Sequence, residues 1–187
     1  NAAMSKAVHW ADTIAEKIIR EKGEKDQYVC ASGITPSGTV HIGNFREIIS
    51  VELVARALRR LGKNVRFIYS WDDYDAFRKV PGNMPNPEEL KKFLRFPITK
   101  VPDPHGKEES YAHANEKRLE QVMDVVGIHP EYIYQSRMYG ESKYAEGIRK
   151  ALENVESIRS YLDMHRSTPL PADWTPVSIF CSLCHRD

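Results

Sequence analysis

The chain has 187 residues, of which 41% are hydrophobic and 28% are charged, and its formal net charge is +1 at pH 7. These values suit a globular protein with a hydrophobic core, and no apolar run approaches the ~20 residues of a membrane span. The charge neither requires nor excludes a nucleic-acid partner, because binding depends on where charges cluster. Since the N-terminus also lacks a signal-peptide hydrophobic region, we expect a cytoplasmic protein without membrane association.

The first part of the chain alternates between predicted helices and strands. Apolar residues at helical spacing in 8–19 predict a helix that stops at Gly23. The apolar run 28–32 predicts a buried strand, residues 45–61 a long helix, and residues 64–71 a second strand. Together these elements predict a βαβ unit with a right-handed crossover. The opening Asn-Ala-Ala before the first methionine is typical of residues added ahead of a native start.

The stretch 78–106 changes character, since it carries six of the 11 prolines. We expect an insertion laid over the sheet, with one short helix that Asn86 caps and Pro87 opens. Helical periodicity returns at 119–126, and residues 131–135 predict a third strand. Residues 144–158 predict one further helix. The pattern favours an α/β fold with a mainly parallel sheet.

The first strand is followed by a glycine-rich loop that leads into a helix near His41. In an open α/β sheet, ligands bind beyond the carboxyl ends of the strands, and a helix N-terminus favours phosphate. His41 can donate to phosphate oxygens, and Gly43 leaves space for an adenine ring against the backbone. The motif alone is equally typical of a plain turn with a histidine cap. It is not a Walker A loop, since no Gly-Lys-Ser/Thr follows.

The second strand ends in three carboxylates, Asp72, Asp73 and Asp75. They can face a substrate ammonium, Mg²⁺, or the neighbouring Arg78 and Lys79. An acidic turn exposed to solvent, or a group that caps a helix, explains them as well. Their place at the end of a strand favours a functional site.

Three cysteines are present. Cys30 lies in an apolar run and is expected to be an inert core residue. Cys181 and Cys184 have the spacing of half a tetrahedral zinc site, to which His185 can add a ligand. The other ligands would have to come from outside these residues.

The segment His41-Ile42-Gly43-Asn44, which closes the loop TPSGTVHIGN after a strand, resembles the HIGH element of class I aminoacyl-tRNA synthetases. The stretch ASGITPSGTVHIGNFREIISVELVARALRRLG, followed by VRFIYSWDDYDAFRKVP, resembles the class I lysyl-tRNA synthetases in particular. The resemblance runs from about Val8 to Asp187. Asn44 stands where the commonest class pattern has a second histidine, and this asparagine is usual in the lysine family.

The resemblance implies a Rossmann-like, HUP-type catalytic domain that activates L-lysine with ATP and Mg²⁺ and passes the lysyl group to tRNA(Lys). His41 and Asn44 are the expected catalytic residues. The residues expected to bind ATP are Pro36, Ser37, Gly38, His41, Gly43 and Asn44. Those expected to bind lysine are Gly33, Thr35, Asp72, Asp73 and Asp75.

The resemblance also implies bound Zn²⁺. A second segment, besides the two cysteines, is therefore a candidate zinc site. Asp103, His105 and His113 lie within eleven residues, and a carboxylate with imidazoles suits zinc. A polar insertion with surface histidines explains this segment equally well.

We divide the chain into four parts. Residues 1–77 form the first half of the catalytic domain, 78–118 the insertion, 119–170 the continuation of the catalytic domain, and 171–187 the start of a zinc knuckle. No KMSKS-type motif and no anticodon-reading domain occur in these residues. We therefore expect a fragment that forms lysyl-adenylate poorly by itself.

Three other interpretations are open. A glutamyl-type class I synthetase, or a cytidylyl or adenylyl transferase with an HxGH-like loop, would use a nucleotide but not lysine. A synthetase paralogue could hold tRNA without catalysis. A structural zinc protein would bind neither substrate.

Overall fold

Parallel strands and the helix between them build the central unit of this computed structural model, which describes residues 9–82 and 84–187. Strands β1 (Tyr28–Ile34) and β2 (Val65–Trp71) pair in parallel and are joined by helix α2 (Ile42–Arg60). Strand β3 (Glu131–Tyr134) pairs in parallel with β2, so the strand order is β1-β2-β3. The α/β fold with a parallel sheet is therefore confirmed, with all three strands at the predicted positions.

Helix α1 (Trp10–Lys22) precedes the sheet and packs against α2. It ends at Gly23, whose φ of 70° suits glycine, as the sequence predicted. Val8 and the opening Asn-Ala-Ala lie outside the described residues. Among the helices that the structure describes, none is both long and apolar enough to cross a membrane.

Helix α4 (Tyr111–Val125) contributes residues to two hydrophobic clusters. The first covers the sheet and contains Ile48, Phe67, Tyr69, Trp71, Leu119, Met123 and Ile128. The second belongs to the proline-rich segment and contains Phe77, Leu90, Ile98, Val101, Tyr111 and Ala112. Helix α4 thus joins the two cores, and the predicted boundary between residues 118 and 119 falls inside it.

The proline-rich segment contains helix α3 (Pro87–Lys91) and a short 3-10 helix (Ile98–Lys100). Pro87 opens α3 and Asn86 occupies its N-cap position, both as predicted, but the side-chain hydrogen bond typical of such a cap is absent. Asn86 adopts a left-handed conformation with φ 51°, and its side chain makes no capping hydrogen bond. Its carbonyl oxygen instead accepts the N–H groups of Glu89 and Leu90.

The chain after β3 forms α5 (Gln135–Gly140), α6 (Ala145–Glu153) and α7 (Val155–Asp163). The single helix predicted over 144–158 is wrong, since it is broken at Asn154. The side-chain amide of Asn154 donates to the Lys150 carbonyl at 2.8 Å, and its backbone N–H turns to Ala151. The side chain thereby replaces the backbone donor that a continuous helix would use.

Gly33, near the end of β1, admits no side chain. It pairs with Ser70 of β2, and a Cβ at Gly33 would lie 2.6 Å from the Ser70 carbonyl oxygen. The clashing oxygen belongs to the backbone of a paired strand, so it cannot move away easily. The close pairing of the two strand ends therefore requires glycine at this position.

We expect Gly33→Ala to lower the free energy of unfolding by about 1–3 kcal/mol, because the added methyl group pushes β1 from β2. Chemical denaturation measures this loss. The matched control is Gly147→Ala in helix α6, where a Cβ meets nothing within 4 Å. The control should keep or slightly raise stability. Equal stability of both variants would contradict the proposed clash.

Candidate active site

The loop between β1 and α2 is held in place by side chains of α4. Asn115 Nδ2 donates to the carbonyl oxygen of buried Pro36 at 3.1 Å, and Tyr111 Oη donates to that of Ser37 at 2.8 Å. Tyr111 and Asn115 are four residues apart and therefore lie on one face of α4. Neither residue was predicted from the sequence. Their signal is a polar side chain at a core-facing position of a helix.

His41 caps helix α2 with its own imidazole. Its Nδ1 accepts the N–H of Gly43 at 3.1 Å, and its backbone N–H donates to Asn44 Oδ1 at 3.3 Å. Because Nδ1 is the acceptor, the neutral ring carries its proton on Nε2. Nε2 has no hydrogen-bond partner in the part of the chain that the structure describes. His41 thus presents a free donor at the positive end of a 19-residue helix.

Gly43 is required by the placement of the His41 ring. A Cβ at Gly43 would lie 2.9 Å from His41 Cε1 and 3.0 Å from Nδ1. The space that the sequence suggested for an adenine ring is thus partly taken by the imidazole itself. Any larger residue would displace His41 from its capping position.

The three aspartates after β2 occupy different environments. Asp73 is 2% exposed and accepts the backbone N–H of Ser136 at 2.7 Å and its hydroxyl at 2.6 Å. Both carboxylate oxygens of Asp73 therefore accept hydrogen bonds from the first turn of α5. Of the interpretations that the sequence left open, helix capping is the one that fits Asp73. Asp72 and Asp75 are exposed. Asp75 accepts the Thr35 hydroxyl at 3.0 Å, which joins the two predicted lysine-binding segments.

Asp72 and Asp75 line one cavity of about 240 Å³ together with Tyr74, Gln135 and Tyr139. The two tyrosine rings stack with centroids 5.0 Å apart. Carboxylates beside aromatic faces suit a cationic group. Asp75 also lines a second cavity, of about 470 Å³, which Thr35 and Ser37 reach from the loop before α2.

A fourth acid, Glu116 on α4, lies buried near Asp73 and was not predicted. It is 4% exposed, and its Oε1 has no hydrogen-bond partner among the described residues. Burial, followed by the negative charges of Asp73 and Glu120, raises the pKa of Glu116 to about 8, against the opposing charge of Arg137. Glu116 is therefore largely protonated at neutral pH.

The structure does not bring Asp103, His105 and His113 together as zinc ligands. The Asp103 carboxylate accepts three backbone N–H groups, those of His105, Lys107 and Glu108, at 2.9–3.1 Å. Burial tends to raise the pKa of Asp103, but these hydrogen bonds lower it below its usual value. His113 Nε2 lies 3.7 Å from Glu108 instead. No group of three or more His, Cys, Asp or Glu residues placed for a metal occurs among residues 9–82 and 84–187.

Cys181 and Cys184 lie exposed on one tight turn. The backbone N–H of His185 donates to the Cys181 carbonyl at 2.8 Å, and that of Leu183 donates to its Sγ at 3.4 Å. Hydrogen bonds from the Cys184 and Leu183 backbone lower the pKa of the Cys181 thiol, which favours the thiolate. Cys30, by contrast, is half-buried, and burial raises the pKa of its thiol.

A parallel sheet with a histidine-capped helix at its carboxyl edge defines a Rossmann-like α/β domain. The family model described as tRNA synthetases class I (K) matches residues 8–187, and the chain belongs to this family.

The relatives with high sequence identity are all called lysine–tRNA ligase. The chain is similar to the lysine–tRNA ligase of Treponema pallidum, with 55% identity over 184 residues, which cover 97% of this chain and 35% of that protein. It is 56% identical over 182 residues to the lysine–tRNA ligase of Borreliella burgdorferi, with 97% and 35% covered. For the lysine–tRNA ligase of Pyrococcus horikoshii the identity is 48% over 178 residues, with 93% and 34% covered. The chain thus spans about a third of the length of these curated relatives.

We expect Glu116→Gln to flatten the pH dependence of stability. The pKa of Glu116 is raised from 4.5 to about 8, so between these values the folded chain holds a proton that the unfolded chain releases. The free energy of unfolding therefore falls as pH rises through this window, by at most about 1.4 kcal/mol per pH unit. Glutamine keeps the neutral shape and removes this contribution.

Urea denaturation at pH 5, 6, 7 and 8 measures the effect, with Glu141→Gln at an exposed position as the control. The control should follow the parent chain. If Glu116→Gln shows the parent's slope as well, Glu116 does not bind the extra proton.

Proposed function

We propose that this chain is the part of a lysine–tRNA ligase that binds ATP and L-lysine, and that the whole protein attaches lysine to tRNA(Lys) in the cytoplasm. The observation that carries the proposal is the loop before α2. Its carbonyl groups are fixed by α4, and it ends in His41, whose Nε2 is a free donor. Family membership and the names of the relatives support the same activity.

ATP, accompanied by Mg²⁺, binds at the start of α2 in this proposal. The Nε2–H of His41 donates to a phosphate oxygen, and the helix dipole adds to the attraction. Asn44 fixes the His41 backbone through its side-chain oxygen. Pro36, Ser37 and Gly38 form the loop wall, and fixed donors of this kind stabilise charge that develops in the transition state.

Lysine binds between the loop and the end of β2. Gly33 allows the two strand ends to approach closely, and Thr35 is bonded to Asp75. Exposed Asp72 and Asp75 are the acids open to a lysine ammonium group, whereas buried Asp73 holds the end of β2 to α5.

The reaction is an in-line displacement at phosphorus. A lysine carboxylate oxygen forms a bond to the α-phosphorus of ATP while the bond to pyrophosphate breaks, which gives lysyl-adenylate. A ribose hydroxyl at the 3′ end of the tRNA then attacks the lysyl carbonyl and AMP leaves. The residues of this chain act by positioning the two substrates and by stabilising charge. A KMSKS-type motif, which the family uses for the leaving pyrophosphate, does not occur in these residues, and we expect slow adenylate formation by this chain alone.

The zinc part of the proposal rests on Cys181 and Cys184. Two thiols on one tight turn, one with a lowered pKa, suit half of a tetrahedral site. Zinc there would have a structural role, with the remaining ligands supplied from elsewhere.

Thermal shift with ATP·Mg²⁺, lysine and glutamate tests the ligand assignment. A ligand at ~100 times its dissociation constant stabilises by about 2.7 kcal/mol. We expect ATP and lysine to raise Tm and glutamate to leave it unchanged. In His41→Asn, where asparagine can still cap α2, the ATP effect should disappear and the lysine effect remain.

His129→Asn, at an exposed histidine away from the loop, is the matched control and should respond like the parent chain. A shift with glutamate but not lysine would contradict the lysine assignment. Full retention of the ATP shift in His41→Asn would contradict the role of the imidazole.

Zinc binding by the two cysteines is tested with Co²⁺ as a spectroscopic substitute. We expect a thiolate-to-metal absorption band that the double variant Cys181→Ser/Cys184→Ser abolishes, because both thiolates are lost. Cys30→Ser is the control and should keep the band. A band that survives in the double variant would place the metal elsewhere.

A further inference from the structure

Arg118 of α4 reaches into the same loop that ends in His41. Its Nη1 donates to the Thr39 hydroxyl at 3.2 Å, two residues before the cap of α2. A guanidinium group has five N–H donors. The others make no hydrogen bond, and no carboxylate lies within ion-pair distance of Arg118, in the ranges 9–82 and 84–187. Arg118 is exposed and keeps a positive charge with unused donors.

Arg118 also lines the cavity of about 340 Å³ beside His41. Most of the cavity wall is aliphatic or aromatic, and its polar side chains are those of His41, Asn115 and Arg118. Asn115 donates to the Pro36 carbonyl. An anion in this cavity would therefore lie beside the side chains of Arg118 and His41, which both line it.

The two carboxylates near Arg118 already have other hydrogen-bond or ion-pair partners. Arg118 borders a second, polar cleft of about 260 Å³, whose acids are Asp103 and Glu108. Asp103 accepts backbone N–H groups, and Glu108 pairs with Lys117 at 2.8 Å. The charge of Arg118 is thus not neutralised by either carboxylate.

We propose that Arg118 binds a phosphate group of ATP, as a cationic contact besides the neutral donor of the His41 motif. The inference rests on the proposed function, since it concerns the nucleotide that the loop before α2 takes. The bond to Thr39 orients the guanidinium toward the loop, and the planar fork matches phosphate oxygens. Arg118 is a binding residue supplied by the helix that also fixes the loop.

Two variants separate a phosphate contact from a purely structural bond. Arg118→Gln keeps an amide that can donate to Thr39 but loses the charge. Thr39→Val removes the hydroxyl and keeps the guanidinium. Calorimetric titration of each chain with ATP·Mg²⁺, AMP, adenosine and lysine measures the effects.

We expect Arg118→Gln to weaken ATP binding about tenfold or more, to weaken AMP binding less, and to change adenosine and lysine binding less than about twofold. Arg118→Lys should recover part of the ATP affinity, and Thr39→Val should weaken ATP binding only slightly. Arg46→Gln, at an exposed arginine of α2 outside both clefts, is the control and should bind like the parent chain.

The inference is overturned if Arg118→Gln binds ATP as the parent does, or if it loses adenosine and ATP equally. Either result leaves the proposed function intact, because the parent chain still binds ATP. A parent chain that binds lysine but no ATP would contradict both the inference and the nucleotide part of the proposed function.

Discussion

Two hydrogen bonds from α4 to the main chain of the loop before α2 are the constraint on which the site depends. The carbonyl groups of Pro36 and Ser37 point toward the interior, where a carbonyl without a partner is costly. Asn115 and Tyr111 supply the donors at 3.1 and 2.8 Å. Because these bonds fix the loop, they also fix the direction in which α2 starts and the position of its histidine cap.

Helix α4 also contacts the acidic segment at the end of β2. Glu116 follows Asn115 on α4 and lies buried near Asp73, which in turn holds the first turn of α5 to the end of β2. One helix therefore positions the proposed phosphate-binding loop, and its Glu120 also holds the end of β2 by accepting the Trp71 indole N–H at 2.9 Å. A site that works by positioning needs such support, since small displacements of the reacting groups are costly.

The three aspartates illustrate how one motif divides into different roles. All three carry the same carboxylate within four positions of the chain. Asp73 points inward and meets Ser136, whereas Asp72 and Asp75 remain exposed at a cavity with two stacked tyrosines. Their chemistry is set by the direction in which each side chain leaves the strand end. That direction separates a structural acid from two acids open to a cation.

Hydrophobic periodicity and glycine by themselves indicated helices α1 and α2, part of α4, the three strands and the loop that ends in His41, because these signals are local. The tertiary structure alone decided which side chains support that loop. Asn115 and Pro36 are 79 residues apart in the chain, and Asp73 and Ser136 are 63 apart. The break at Asn154 also escaped prediction, since a side chain that replaces a backbone donor leaves the apolar spacing unchanged. Periodicity describes which face of an element is buried, but not which polar partner it meets there.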